Sequence, residues 1–574
     1  IFRPMSYKHK IMGMVALSLL PLSLSAQSET EALRLASPYE PAGSARFAAL
    51  SGAMGAVGAE ASSLVRNPAG ISLYRGANRL SLTLGGGYGS DRGSWYGKTT
   101  ETALGGKFLF EEFYYQAGTN RATRGPLSFA FGIRNAGRFD RELNAEALLP
   151  KEGGFTSLAD YAAGRTNNAR FDNARLREVD RYFSLGYLQS KDAFSNTYVP
   201  WISILGAGSG WINQSGKRFH SNYIFNTDPS GKPYPQPSIG LPDQANLLLR
   251  EKGSITDYDI ALGYEANDAL HFGGTLTLSS LDYELSSYYR ETFRENSSLT
   301  LLNRKSVSGF GARLGLGMIY EVAEGLRLGA SVYSPSFYTM KMDFQAEGRG
   351  VAQGKVGSVG TPKSGATAYN LRGPWRFDLS GAFVVGHHGI ISADYEYSTL
   401  GLLRLTNSSA DDYEQSDAGF EEDNARLQTN YGGVHTIRLG MEGMLTPRIA
   451  LRTGYRYSSS PVKNALLKGD QAKTEALVSG PMVHYTLPDA VNSFSLGAGF
   501  RLTPTLSFDL AYVYTESKAR TFAFPYLNDY GTYFDASDAD IRAGKVRPDA
   551  LDGMKAISES NFRHKAIATL SFRF

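Results

Sequence analysis

The feature that most constrains this chain is an alternation of apolar and polar residues that recurs along most of its length. In the final segment, apolar Ala566, Ala568, Leu570, Phe572 and Phe574 alternate with polar Lys565, Thr569, Ser571 and Arg573. The same period of two recurs in 375–383, 391–397, 449–457 and 508–514. Side chains of a β-strand point alternately to its two faces, so each segment is predicted to be a strand with one apolar and one polar face.

Composition favours an all-β chain and excludes several classes of protein. The 574 residues include 63 Gly, 34 Tyr and 31 Phe, and such a high content is typical of strands and turns. The chain contains no Cys. Without Cys, disulfides, thiol catalysis and Cys-ligated metals are excluded. The formal charge is only +4, with both signs interspersed, so we expect no nucleic-acid partner. The motifs of hydrolases, nucleotide-binding proteins and zinc proteases are absent, so we expect no enzyme, cofactor or metal site.

The N-terminal residues are typical of a secretory signal peptide. Lys8, His9 and Lys10 precede an apolar run at 11–24, which is followed by Ser25 and Ala26. We assign 1–26 to the signal, with cleavage near Ala26. No other stretch approaches the roughly 18 apolar residues of a spanning helix. An exported chain of this kind is therefore soluble, anchored, or a β-barrel.

The number of repeats favours a transmembrane antiparallel β-barrel over a soluble sandwich or propeller. We count about fourteen segments of roughly ten residues, an even number as bacterial barrels require. Short connections at 386–389, 445–448 and 502–505 alternate with connections of tens of residues. This predicts periplasmic turns, long extracellular loops, a polar lumen and two periplasmic termini in a cell outer membrane. The barrel is assigned to 78–574, with a large extracellular insertion at 137–253.

A different composition marks residues 42–75, which precede the first predicted strand. The stretch is rich in Gly, Ala and Ser and carries a turn signal at Asn67, Pro68, Ala69 and Gly70. Small residues let a backbone pack closely, and the weak alternation disfavours a strand. We predict an N-terminal hatch, a plug inside the barrel, at 27–77. Its candidate functional residues are Arg66, Asn67, Pro68, Ala69 and Gly70.

The insertion holds the most unusual sequence outside the strands. Residues 143–164 have helical tendency, and an apolar island extends over 199–212. Such an island must pack on a neighbouring loop or bind a hydrophobic ligand, and both alternatives stay open. If it binds a ligand, the candidates for ligand capture are Trp201, Ile202, Leu205 and Trp211.

The chain resembles the FadL/TodX-type family of outer-membrane transporters, and looks most like members common in Bacteroidetes-like outer membranes. The resemblance rests on the hatch ending in Asn67, Pro68, Ala69 and Gly70, and on the segments 253–258, 373–377 and 571–574. It implies a barrel of about fourteen strands plugged by the hatch. It also implies that hydrophobic compounds such as long-chain fatty acids are captured among the external loops and leave sideways into the membrane.

In this family the side opening lies at a kinked third strand. Gly132, Asn135 and Gly137 lie in and just past the third predicted strand here, and glycines can mark such a bend. They are therefore the candidates for a lateral opening. The very large insertion after this strand departs from the family pattern.

Two other functions remain open from the sequence. The same architecture serves the FadL-like barrel of a type IX secretion system, which shuttles proteins. A general porin would instead use the charged lumen as an aqueous path. The expected partners are a hydrophobic small-molecule substrate and the lipids of the outer membrane, and we expect a monomer.

Overall fold

The structure is a computed structural model. It describes the residues 29–36, 43–75, 78–118, 126–150, 155–223, 239–352, 354–362, 367–386, 388–408, 419–463, 482–551 and 553–574. The predicted signal peptide at 1–26 lies outside the described residues.

Strands dominate the described chain. They are β1 (Arg79–Trp95), β2 (Lys98–Ala117), β3 (Leu127–Leu148), β4 (Ile212–Ser215), β5 (Arg218–Ser221), β6 (Gln244–Glu265), β7 (Leu270–Thr292), β8 (Ser298–Ala323), β9 (Leu326–Tyr333), β10 (Phe337–Ala352), β11 (Lys355–Gly360), β12 (Thr367–Arg372), β13 (Arg376–Val385), β14 (Gly389–Ser398), β15 (Arg404–Asn407), β16 (Val434–Thr446), β17 (Ile449–Ser458), β18 (Tyr485–Arg501), β19 (Leu506–Phe522), β20 (Leu527–Asp529), β21 (Asp549–Leu551) and β22 (Ile557–Arg573).

The helices are short. They are α1 (Glu29–Ala36), α2 (Ala45–Ala49), α3 (Leu158–Asp172), α4 (Val179–Tyr182), α5 (Leu185–Leu188), α6 (Trp201–Gly208), α7 (Glu421–Asn430) and α8 (Asp538–Arg542), with 3-10 turns at Ala61–Val65, Pro68–Leu73, Lys191–Ser195, Leu400–Leu402 and Tyr530–Phe534. Among the described residues, none of these helices combines the length and apolar content needed to cross a bilayer.

A closed antiparallel barrel of 14 strands is formed when β22 pairs with β1. Three barrel strands are interrupted: β9 continues as β10, β12 as β13, and β14 as β15. For example, β8 pairs first with β10 and then with β9 along the same edge. The predicted fold class and strand number are therefore confirmed.

The wall changes character along its height. Near the short turns, outward side chains such as Leu262 (60% exposed) and Leu316 (63%) are apolar, while inward Asp259 is polar and buried. Near the long connections the pattern is reversed, with apolar side chains inside and polar side chains outside. In β6, for example, the inward Leu247 is buried and the outward Arg250 is exposed. The first half suits lipid outside and polar groups inside. The second half suits water outside and an apolar core inside.

That apolar core fills the long-loop end of the barrel. The connection between β3 and β6, which we call the cap, packs α3 and α6 against inward residues of the wall such as Leu247, Leu285 and Leu301. The core also includes Leu35 of α1. The cap is therefore a folded plug of its own, held within the extended strands.

Two predicted positions in this region were wrong. The insertion was expected at 137–253, but β3 continues to Leu148 and β6 begins at Gln244. The helix was expected at 143–164, but α3 begins only at Leu158. Both errors have one cause. Residues near the long-loop end carry the inverted alternation, which does not match a lipid-facing strand, although their pairing between β3 and β6 continues without a break at this end.

A buried carboxylate fixes the first turn of α3 to the wall. Glu291, at the long-loop end of β7 and outside the membrane-spanning band, accepts hydrogen bonds from the Ser157 hydroxyl (2.5 Å), the Leu158 N–H (2.8 Å) and the Tyr289 hydroxyl (2.7 Å). Burial raises the pKa of Glu291 from 4.5 to about 7, although these hydrogen bonds act in the opposite direction.

This raised pKa predicts how the stability of the cap depends on pH. The folded protein binds the proton on Glu291 more tightly than the unfolded chain, so the contribution to stability is fully present below pH 4.5 and is lost as the pH rises through about 7. We expect the thermal midpoint of the cap, followed by tryptophan fluorescence, to fall over this range. Glu291→Gln should reduce the fall. The surface substitution Glu178→Gln is the control, and equal slopes in wild type and Glu291→Gln would contradict the assignment.

Candidate functional site: hatch, lumenal cavities and a seam in the wall

The hatch, described over residues 43–75, lies inside the barrel in its short-turn half. Ala45, Ala48 and Ala49 of α2 pack against Ala511 and Ile567 of the wall. The rest of the hatch consists of turns, and the Ala45 N–H donates a hydrogen bond to the Thr569 hydroxyl (2.7 Å). The predicted plug inside the barrel is confirmed. Small side chains allow this close approach of the backbone to the strands.

The turn at Asn67, Pro68, Ala69 and Gly70 is the point at which the hatch contacts β8 and β9. Asn67 caps the second 3-10 turn by accepting the Ala69 N–H (3.0 Å), and its amide donates to the Met318 carbonyl of the wall (3.0 Å). Pro68 occupies the first position of that turn, where its missing N–H costs nothing. A Cβ on Gly70 would lie 2.6 Å from the Ser63 hydroxyl, so only Gly fits.

Glycines of the wall receive this turn. A Cβ on Gly317 of β8 would lie 2.0 Å from the Asn67 side chain, and one on Gly273 of β7 would lie 2.3 Å from the Pro68 backbone. The neighbouring Gly274 faces outward, and its nearest atom would be 3.6 Å away. The lumenal glycines are therefore a seat for the hatch, which the sequence did not distinguish from ordinary strand glycines.

Buried ion pairs also connect the hatch to the wall. Arg46 of α2 pairs with Glu442 (2.8 Å), which also binds Arg452, and Arg452 pairs in turn with Asp509 (2.6 Å). A second network begins at Arg66, the candidate that precedes the turn. Breaking a buried pair costs about 3–5 kcal/mol, so these contacts fix the hatch to the wall.

The second network surrounds Glu396 of β14. Its carboxylate pairs with Arg66 and with Arg438 (3.2 Å), while Arg376 stacks its guanidinium over the Tyr333 ring at 4.5 Å. Arg66, Arg376, Glu396 and Arg438 line a cavity of about 180 Å³, which we call the arginine cavity. Its remaining lining is mixed: aliphatic residues that include Leu35, Ile255, Leu371, Leu400, Val434 and Val491 alternate with polar and charged residues that include Ser334, Ser336, Ser398, Thr436, Ser458 and Asp489.

A second cavity of about 130 Å³, the upper cavity, lies on the other side of α1. Leu33 and Arg34 of α1 face the upper cavity, whereas Leu35 and Ala36 line the arginine cavity. α1 thus divides the space between hatch and cap. It is held by the buried pair of Glu31 with Lys305 and by Arg34 with Glu251 (2.8 Å). The sequence predicted these residues as part of the hatch, without a separate role.

The wall has a seam between β2 and β3. These strands pair only from Glu112 with Arg134 to Ala117 with Phe129, and beyond that point the described parts of β2 and β3 share no ladder. Side chains cross the seam instead: Lys107 pairs with Asp140 (2.7 Å). The upper cavity reaches this seam, because Asp140 and its neighbour Arg138 also line it.

The three candidates for a lateral opening lie at this seam. Gly132 is in the last paired stretch, where a Cβ would lie 2.1 Å from the Tyr114 ring. Asn135 and Gly137 flank a register shift of β3 against β6, which is a β-bulge. The structure therefore brings all three together at the point where β2 and β3 part. Their role in substrate exit stays a prediction.

The four candidates for ligand capture lie together in the core of the cap. Trp201, Ile202, Leu205 and Trp211 are at most 8% exposed. The Trp211 indole N–H donates to the Arg349 carbonyl (2.8 Å), and Trp201 packs edge-on against Phe194. Of the two alternatives for this apolar island, the structure shows packing, because α6 buries the island against α3 and the wall.

These features define the class of protein as a transmembrane β-barrel closed by an N-terminal hatch. Residues 253–533 match the family model described as outer membrane protein transport protein (OMPP1/FadL/TodX). The match confirms the resemblance to the FadL/TodX family found in the sequence, and that family is one of transport proteins and not of enzymes.

Individual relatives and solved structures have low sequence identity to this chain. Outer membrane protein P1 of Haemophilus influenzae is 24% identical over 225 residues, which are 39% of this chain and 41% of that protein. The chain therefore spans less than half of the length of this curated relative. A FadL homologue of Pseudomonas aeruginosa has a TM-score of 0.48 and 10% identity, covering 94% of this chain and 99% of its own. The toluene transporter TodX of Pseudomonas putida has a TM-score of 0.45 and 12% identity, covering 93% and 99%.

The glycine seat predicts a matched pair of variants. Gly273→Ala places a methyl group against the backbone of Pro68, so the hatch must shift, whereas Gly274→Ala adds the same methyl group to the outward face. We expect faster hydrogen exchange in residues 67–72 and a higher ion conductance in planar bilayers for Gly273→Ala only. Equal behaviour of the two variants would show that the hatch does not depend on this contact.

Proposed function

We propose that this protein transports hydrophobic compounds, such as long-chain fatty acids, across the outer membrane. In this proposal the long-loop end faces outward and the substrate is taken up there. It passes through the upper cavity and leaves sideways between β2 and β3. The observation that carries the proposal is the contact of the upper cavity with a wall seam where the described parts of β2 and β3 share no backbone ladder, above a hatch that fills the direct route.

The chemistry of the route supports an apolar substrate. The upper cavity is lined partly by Leu33, Tyr283, Leu285, Met482 and Tyr485. An alkyl chain gains about 0.8 kcal/mol for each CH₂ that leaves water. We therefore assign initial capture to this cavity in place of the buried tryptophans of the cap.

Exit through the seam needs little rearrangement of backbone hydrogen bonds. Opening an intact ladder inside a bilayer leaves unpaired N–H and C=O groups, each costing several kcal/mol. Above Glu112 and Arg134 the described parts of the two strands are joined by side-chain contacts. The ion pairs among them, Lys98 with Glu146 and Lys107 with Asp140, are largely exposed and contribute about 0–1 kcal/mol each. The hatch argues against a general porin, because a filled lumen disfavours free diffusion of ions.

The seam can be tested by covalent closure. The chain has no Cys, so the double variant Lys107→Cys with Asp140→Cys carries only the two introduced thiols. Treatment of cells with a bifunctional maleimide should bridge the seam and reduce the uptake of radiolabelled oleate at least about tenfold, because an exit step that is blocked limits the whole transport.

A bridge at an intact part of the wall is the matched control. Leu262→Cys with Gly274→Cys places the thiols on paired neighbours of β6 and β7, and this bridge should leave uptake unchanged. Uptake that continues after complete bridging of β2 to β3 would exclude this exit. Absence of oleate uptake by the untreated wild type would exclude the transport function itself.

A further inference from the structure

Three neighbouring strands of the wall are interrupted at about the same level. β9 gives way to β10 at 334–336, β12 to β13 at 373–375, and β14 to β15 at 399–403. Backbone contacts still cross these breaks, because the Gly373 N–H donates to the Ser336 carbonyl (2.8 Å). Irregularities of this kind redirect side chains and recur beside functional sites. We call the outward surface at this level the ledge, and define it by Phe337, Arg372, Trp375, Leu402 and Arg404.

The ledge lies at the upper limit of the apolar band. On β13 the outward side chains are apolar from Val385, near a short turn, to Phe377, and Trp375 (43% exposed) continues the series. About ten steps of roughly 3.3 Å, on a strand tilted by about 40°, span roughly 25 Å, which is the height of the lipid-facing band of such a barrel. Trp375 and Phe377 stack with their rings 6.3 Å apart, and aromatic residues of this kind mark the membrane boundary. Arg372 therefore lies at the level of the lipid headgroups.

Two arginines face each other on the ledge. Arg372 of β12 is directly opposite Arg404 of β15, and its neighbour on the other side is Phe337 of β10. Both arginines are exposed on the outer face, whereas the residues beside them in sequence, Leu371 and Leu405, are buried on the inner face. Like charges directly opposite each other destabilise a sheet. An anion placed between the two guanidinium groups from outside removes this cost.

Elsewhere on the wall, outward arginines meet a carboxylate of the next strand. Arg250 pairs with Glu142 (2.6 Å), and Arg92 pairs with Glu101 (3.0 Å). The cross-strand neighbours of Arg372 are instead an arginine and a phenylalanine. The charge of the ledge therefore complements an anion at headgroup level. Arginine binds phosphate through two parallel N–H donors, and anionic lipid headgroups attract basic residues at a membrane surface.

Apolar side chains complete the ledge. Leu402 (52% exposed) lies two residues before Arg404, and Phe337 (54%) lies beside Arg372. Trp375 lies on the membrane side of both arginines. A phosphate held by the arginines thus places the attached acyl chains against Trp375 and Leu402, which a free anion cannot contact in the same way.

We propose that the ledge is a binding site for the phosphate headgroup of a lipid in the leaflet at the long-loop end, with Arg372 and Arg404 on the phosphate and Trp375 and Leu402 beside the acyl chains. The site faces the membrane and not the lumen. It lies on β10, β12 and β15, away from the seam between β2 and β3. The inference therefore goes beyond the proposed transport function and is independent of it.

Native mass spectrometry of the full-length protein in detergent tests the site directly. The probe is lipid A that carries two phosphates, and the same lipid after dephosphorylation is the comparison. We expect the wild type to bind the phosphorylated lipid at least about tenfold more tightly, because basic residues at a membrane surface each favour an anionic lipid. Equal affinity for the two lipids in the wild type would overturn the proposal without any variant.

Charge-matched variants then locate the site. Arg372→Gln with Arg404→Gln should weaken binding of phosphorylated lipid A about tenfold or more and leave binding of the dephosphorylated lipid unchanged. Arg290→Gln with Arg304→Gln is the control, because it removes the same charge from exposed outward positions of β7 and β8 whose strand partners are uncharged. Equal losses in the two double variants, or no loss in the first, would overturn the proposal.

Two further measurements identify the occupant. Trp375→Ser should weaken binding of phosphorylated lipid A, and inorganic phosphate should fail to displace the lipid at equal concentration because it lacks the contacts with Trp375 and Leu402. If inorganic phosphate competes as well as lipid A does, the ledge binds an adventitious ion only and the proposal fails. Lipid-free dimers that dissociate in the Arg372→Gln with Arg404→Gln variant would assign the ledge to a second copy of the chain and would also overturn it.

Discussion

The structure depends on one requirement: within a bilayer every backbone N–H and C=O must find a partner in the protein. The 14 strands meet it by pairing around a closed ring, with β22 against β1. Closure leaves a lumen that must itself be filled. The hatch fills it with a segment of small residues and tight turns, which brings its own backbone close to the wall. The seam between β2 and β3 is where backbone pairing is relaxed, and it lies beside a lumenal cavity.

The same strands serve two environments, and this explains their unusual length. β7 has 23 residues and β8 has 26, whereas roughly ten are enough to cross the bilayer. Beyond the membrane the apolar residues turn inward and enclose the cap. Trp201 and Trp211, which the sequence offered as candidates for ligand capture, therefore form part of the core of the cap. The two cavities lie around α1.

Charged residues in the lumen form two networks of ion pairs that include residues of the hatch. Glu442 and Asp509 balance Arg46 and Arg452 and fasten the hatch with paired groups. Around Glu396, Arg66 of the hatch and Arg438 of the wall share one carboxylate. Both networks thus connect the hatch to the wall through buried ion pairs.

The sequence by itself determined the fold class, the strand number, the plug inside the barrel and the resemblance to the FadL/TodX family, because a period of two and a run of small residues are local patterns. It also pointed to Gly132, Asn135 and Gly137, which lie at the seam. Only the tertiary structure decided that Leu143 to Leu148 is strand, that Gly273 and Gly317 seat the hatch, and that Arg66, Arg376 and Arg438 share one cavity. These facts depend on which strands meet across the lumen, and no local pattern records contacts between residues hundreds of positions apart.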